Sequence, residues 1–102
     1  MDAPQALMLS GRDNVASVLA NVAPGTDVVI RPGPANTTVK AAEAIPFGFK
    51  MAVTGIAKGT HVIKYGETIG MASRDIRPGE LVHIHNIEGT RGRGDLTAGD
   101  AT

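Results

Sequence analysis

The chain contains no cysteine and no tryptophan, one tyrosine and two phenylalanines. Without cysteine this chain can form no disulfide, no thiolate zinc site and no iron–sulfur ligation. Aromatics make up only 3%, so the core must be aliphatic. Scarce rings also argue against the stacking platforms that bind nucleic-acid bases. Nor is there an excess of one charge: ten Lys and Arg balance ten Asp and Glu. Domains that live on DNA or RNA carry a basic surplus, so nucleic acid is not an expected partner. No run approaches the length of a membrane span. The N-terminal MDAPQALMLS lacks a basic region followed by a long apolar stretch. The expectation is a cytoplasmic protein with no membrane partner, in which the sequon Asn36-Thr37-Thr38 carries no meaning.

What is present is short and punctuated. A length of 102 residues bounds the chain to one domain with a modest core. Glycine (13) and proline (6) are spread along it, the pattern of many short strands joined by tight turns. Ala6 to Leu9 reads as a buried strand. Helical spacing occurs once: Asp13 can cap a helix carrying Val15, Val18, Leu19 and Val22, ended by Pro24-Gly25. A weak repeat follows in APGTDVVI (23–30), AKGTHVIK (57–64) and RPGELVHI (77–84). Each is a glycine turn feeding a β-branched strand. Residues 37–42 and 50–54 are further strands, Ile45-Pro46-Phe47-Gly48 is a turn, and 67–72 is a short hairpin arm. The fold class expected is α+β, mostly β, with one short N-terminal helix. The domain covers residues 1–88, and 89–102 form a flexible Gly-, Arg- and Asp-rich tail.

Three groups could carry chemistry. His83 and His85 stand at i and i+2. On a strand both imidazoles would project from one face, with Val82 and Ile84 turned to the core. Two histidines can meet one metal ion or one anion, but they do not complete a metal shell. The plainer alternative is a strand with a polar wet face. Lys64-Tyr65-Gly66 places a cation and the sole tyrosine beside a tight turn, where they could meet a carboxylate and donate a proton. The plainer alternative is a solvated lysine and a core-edge ring. His61, on the expected face of Ile63 and Tyr65, reads as structural. In residues 89–95, alternating Gly and Arg could wrap an anion through Arg91 and Arg93. The alternative is a linker or docking tail, and Arg93-Gly94-Asp95 as an adhesion tripeptide is chance.

These motifs, taken in order, carry a resemblance. The run from Ile45 to Leu96 resembles the SAF domain of the altronate and galactarate dehydratase family. The matching features are Ile-Pro-x-Gly-x-Lys at 45–50, Lys-Tyr-Gly-x-x-Ile-Gly at 64–70, Gly-x-x-Val-His-x-His-Asn at 79–86, and the Arg-Gly-Arg-Gly-Asp segment. The resemblance implies a β-clip fold. It implies a small subunit working with a separate large catalytic subunit on a small sugar acid of the altronate type. A sulfolactate sulfo-lyase small subunit, or a non-catalytic carbohydrate- or partner-binding module, are the alternatives. It further implies a divalent metal, commonly iron, shared with or held by the large subunit. His83 and His85 are the candidate metal ligands. His83, His85, Lys64 and Tyr65 are the catalytic candidates, and Lys50, Arg91 and Arg93 the substrate-binding ones. Association with further copies of itself is left open. One departure stands out: the family turn usually reads Ile-Pro-x-Gly-His-Lys, and here the histidine position is Phe49.

Overall fold

The structure is a computed structural model that describes residues 3–32 and 37–89. Among these residues there are nine strands and no helix. The strands are β1 (Gln5–Leu7), β2 (Val15–Val18), β3 (Asp27–Arg31), β4 (Thr38–Lys40), β5 (Lys50–Ala52), β6 (His61–Lys64), β7 (Glu67–Ala72), β8 (Leu81–Val82) and β9 (Ile87–Glu88). Six form a curled sheet in the order β4-β3-β1-β2-β5-β8, and three form a smaller one, β6-β7-β9. The β1–β3 pair is parallel, and the other pairs are antiparallel.

The expected N-terminal helix is a strand instead. Val15, Val18, Leu19 and Val22 do have helical spacing, but Ala16 and Ser17 between them are buried as well. β2 is central in the large sheet and meets apolar side chains on both faces. Ala16 and Val18 join one core with Ala6, Val28, Ile45 and Met51. Val15 joins a second with Ala52, Ile56, Val62, Ile76 and Val82. A strand covered on both sides loses its two-residue alternation, and a short continuous apolar run cannot be told from a helix by period alone.

The glycine turns are built to one plan, used four times. Gly25, Gly48, Gly59 and Gly79 have φ of 81°, 85°, 87° and 88°. In each turn the residue after the glycine donates its N–H back three positions: Thr26 to Ala23, Phe49 to Pro46, Thr60 to Ala57 and Glu80 to Arg77. This is the geometry of a type II turn, which needs glycine at its third position. Each glycine N–H also bonds a carbonyl at or just past the end of a strand, of Ala41, Val18, Ala72 and Ala52 in turn. The turns pair two by two through the bridges Val22↔Ile45 and Ile56↔Ile76.

Side chains complete the turns only where the backbone needs them. Asn21 Oδ1 accepts the Phe47 N–H at 2.8 Å, and Asp75 Oδ1 accepts that of Lys58 at 2.8 Å. In the opposite direction each pair would present Ala44 to Pro24 and Gly55 to Pro78. Proline has no N–H to satisfy, and neither facing residue has an acceptor side chain. The sequence repeat, three copies by eye, is thus four copies in space, with IPFGFK the fourth.

Candidate functional site

Asp13 and Asn14 dock the β6–β7 hairpin against the large sheet, and this docking shapes the site. Asp13 Oδ2 accepts the N–H groups of Leu9 (3.0 Å) and Ser10 (3.2 Å), and Oδ1 accepts that of Gly66 (2.7 Å). The carboxyl is only 6% exposed. Burial alone would raise its pKa, but the backbone donors of Gly66, Leu9, Ser10 and Tyr65 outweigh burial and hold it below the usual aspartate value. Asn14 plugs a bulge between Val62 and Ile63: its Nδ2 donates to the His61 carbonyl and its Oδ1 accepts the Ile63 N–H. The extra residue of that bulge is Ile69 on β7, and the His61 side chain is exposed.

The hairpin ends in the two-residue turn Tyr65-Gly66, flanked by the pair Lys64↔Glu67. Both turn residues have positive φ, 55° and 81°. A two-residue turn of this kind favours Asn-Gly; a tyrosine there costs about 1–2 kcal/mol. The strain places the Tyr65 hydroxyl 3.3 Å from Ser17 Oγ. The Lys64 ammonium lies 4.9 Å from the Tyr65 ring centre. Register then brings in Lys50, directly across from Ser17 in the β2–β5 pair. Burial first, and the neighbouring Lys64 charge second, hold the Lys50 ammonium below the ordinary lysine value. Ser17, Lys50, Lys64 and Tyr65 therefore form one connected cluster. Three of the four are expected site residues. Ser17 is not, because a serine inside VASVL shows no partner until the strands are paired.

The histidines part company. Residues 83–86 form a tight turn, not the end of a strand. The His83 carbonyl accepts the N–H groups of Asn86 and Ile87. Asn86, 2% exposed, locks the turn from inside: its Oδ1 accepts the His83 N–H and its Nδ2 donates to the Leu81 carbonyl. Ile84, expected in the core, is 82% exposed. His85 is exposed, while the half-buried His83 ring lies 4.9 Å from Phe49 at 58°. The common strand face expected for the two imidazoles does not exist. Phe49 packs on the first core, and alternation along β5 turns Lys50 to the opposite face. No group of three or more His, Asp or Glu suited to a metal ion occurs among the described residues. These residues do not fit a metal centre on their own. Arg91 and Arg93 lie outside the described residues. A surface pocket lined by Met8, Leu9, Ser10, Gly11 and Pro32 sits beside the Asp13 loop, and neither lysine lines it. No helix among the described residues is long and apolar enough to cross a membrane.

Known proteins are similar to this chain over much of its length. Altronate dehydratase of Escherichia coli K12 is 45% identical over 82 residues, covering 80% of this chain and 16% of that protein. Altronate dehydratase of Bacillus subtilis is 33% identical over 77 residues, 76% of this chain and 15% of that protein. The (2R)-sulfolactate sulfo-lyase subunit alpha of Chromohalobacter salexigens is 45% identical over 49 residues, 48% of this chain and 52% of that subunit. The chain thus spans a small part of the dehydratases and about half of the sulfo-lyase subunit. Residues 4–90 match the altronate/galactarate dehydratase SAF domain, and the chain belongs to that family.

Proposed function

We propose that this chain is the small component of a lyase that removes water from a sugar acid of the altronate type, acting with a larger catalytic chain. The observation that carries this reading is the cluster of Lys50, Lys64 and Tyr65 within a chain of this family. Elimination next to a carboxylate builds negative charge on that carboxylate. It needs cations or hydrogen-bond donors there, a base for the α-proton and an acid for the leaving group. Lys50 and Lys64 supply the cations. The Tyr65 hydroxyl is a donor within reach of the same anion. Asp13, beside the hairpin turn, is spent on backbone N–H groups and is not available as a base. The base, and any metal the reaction uses, come from the larger chain, toward which His83 and His85 present imidazoles from their turn. Similarity to a protein named as a sulfo-lyase subunit supports a second reading, in which sulfite replaces water as the leaving group.

In the assembled complex, Lys50→Gln combined with Lys64→Gln lowers kcat/KM by about 100-fold, the loss of two charged hydrogen bonds of about 1.5 kcal/mol each. His83→Ala combined with His85→Ala also lowers it, with the complex still assembled. Wild-type kcat/KM in both double variants would sink this reading.

A further inference from the structure

We propose that Ser17, Lys50, Lys64 and Tyr65 form a binding site for a small oxyanion, a carboxylate or a sulfonate. This deepens the lyase reading, because a hydroxy acid carries such a group, but its test is binding and not turnover. Both lysines are half-buried, and the neighbouring Lys64 charge acts against that of Lys50. Among the described residues neither has a carboxylate within ion-pair distance. Lys40, by contrast, pairs with Asp27 at 3.1 Å. The acids near the cluster do not fill the gap. Both oxygens of Asp13 are occupied by backbone donors. Glu67, the cross-strand partner of Lys64, makes no ion pair with it.

An independent observation points to the same spot. Ser17 is 8% exposed, so its hydroxyl has lost most of its water. Its one polar contact among the described residues is the Tyr65 hydroxyl. Tyr65 donates and the Ser17 oxygen accepts, so the buried Ser17 O–H is the proton left without an acceptor among the described residues. A buried donor in that state is unfavourable unless something accepts from it. An anion between the lysines accepts that proton and relieves the repulsion of the two cations at once. The strained backbone of Tyr65 fits this purpose, since strain of this kind collects at binding sites. The four side chains come from β2, β5 and the β6–β7 turn, so the site exists only when the hairpin is docked by Asp13 and Asn14.

The test is an amide and side-chain NMR titration of the full chain with sodium acetate, and separately with sodium methanesulfonate, at constant ionic strength held by sodium chloride. Saturable shifts centred on Ser17, Lys50, Lys64 and Tyr65 are expected with at least one probe. Lys50→Gln should weaken binding about tenfold, Ser17→Ala should weaken it less, and Lys58→Gln should leave it unchanged. Shifts that never saturate and spread equally over Lys40 and Lys58 would overturn the site. So would saturable binding that Lys50→Gln and Ser17→Ala leave intact. If binding follows this pattern while Lys50→Gln with Lys64→Gln, and His83→Ala with His85→Ala, both keep wild-type turnover, the anion site stands and the lyase reading fails.

Discussion

Gly79→Ala is expected to destabilise the domain by about 4 kcal/mol, a large part of the stability of a chain this size. Two costs combine. Gly79 sits at φ 88°, where a side chain costs about 1–2 kcal/mol. In addition, a Cβ there would overlap the Lys40 carbonyl oxygen and crowd the Ala42 nitrogen at 3.0 Å. Both obstacles are backbone, so neither can swing aside, and overpacking of this kind costs about 1–3 kcal/mol. The contact also matters to the architecture. The Ala42 N–H bonds the Gly79 carbonyl, and Glu43 accepts the Leu81 N–H, so this turn ties the end of β4 to the strand β8. Gly48 is the matched control: its φ is 85°, but nothing lies within 4 Å of its Cβ direction. Gly48→Ala should lose only about 1–2 kcal/mol. By thermal unfolding the two variants should differ by on the order of 10–20 °C. Equal losses in both would show that the close approach at Gly79 is not a constraint.

Asp13→Ala is expected to cost about 3–5 kcal/mol, because it leaves several backbone N–H groups near the core without an acceptor. The hairpin turn should loosen first. Amide hydrogen exchange at Gly66, Leu9 and Ser10 should rise more than exchange at Val28 or Ile30, which belong to the other core. The same carboxylate sets an acid limit. Its folded-state pKa is depressed, so its contribution is fully present above the ordinary aspartate value of 3.8 and is lost as pH falls through the depressed value. Asp13→Asn removes that titration. The stability gap between wild type and Asp13→Asn should therefore be constant near neutral pH and narrow below about pH 4. A gap that stays constant well into acid would mean that the charge on Asp13 is not what holds the hairpin.

The legible parts of the sequence were those with a local cause. The arm at 67–72 and the glycine turns at 25, 48, 59 and 79 follow from residues whose backbone preferences act alone. The parts that misled have non-local causes. Val15 to Val22 has helical spacing, and only the second core over Val15, on the other side of β2, makes it a strand. His83 to Asn86 alternates like a strand, yet the buried Asn86 side chain bonds both ends of the segment and folds it into a turn. The site divides the same way. Lys50, Lys64 and Tyr65 stand out in the motifs, and the family resemblance rests on them. Ser17 becomes visible only when register sets it across from Lys50, and Asp13 only when the hairpin turn arrives at its carboxylate.

The central claim is that this chain completes an acid lyase whose larger part lies in another chain. The most direct measurement is turnover of altronate, galactarate and sulfolactate by the proposed larger chain, purified with and without this one. The account predicts that one of these acids is consumed by the pair and that removing this chain abolishes or sharply slows the reaction. Full activity of the larger chain alone, or no turnover of any of the three acids by the pair, would contradict it.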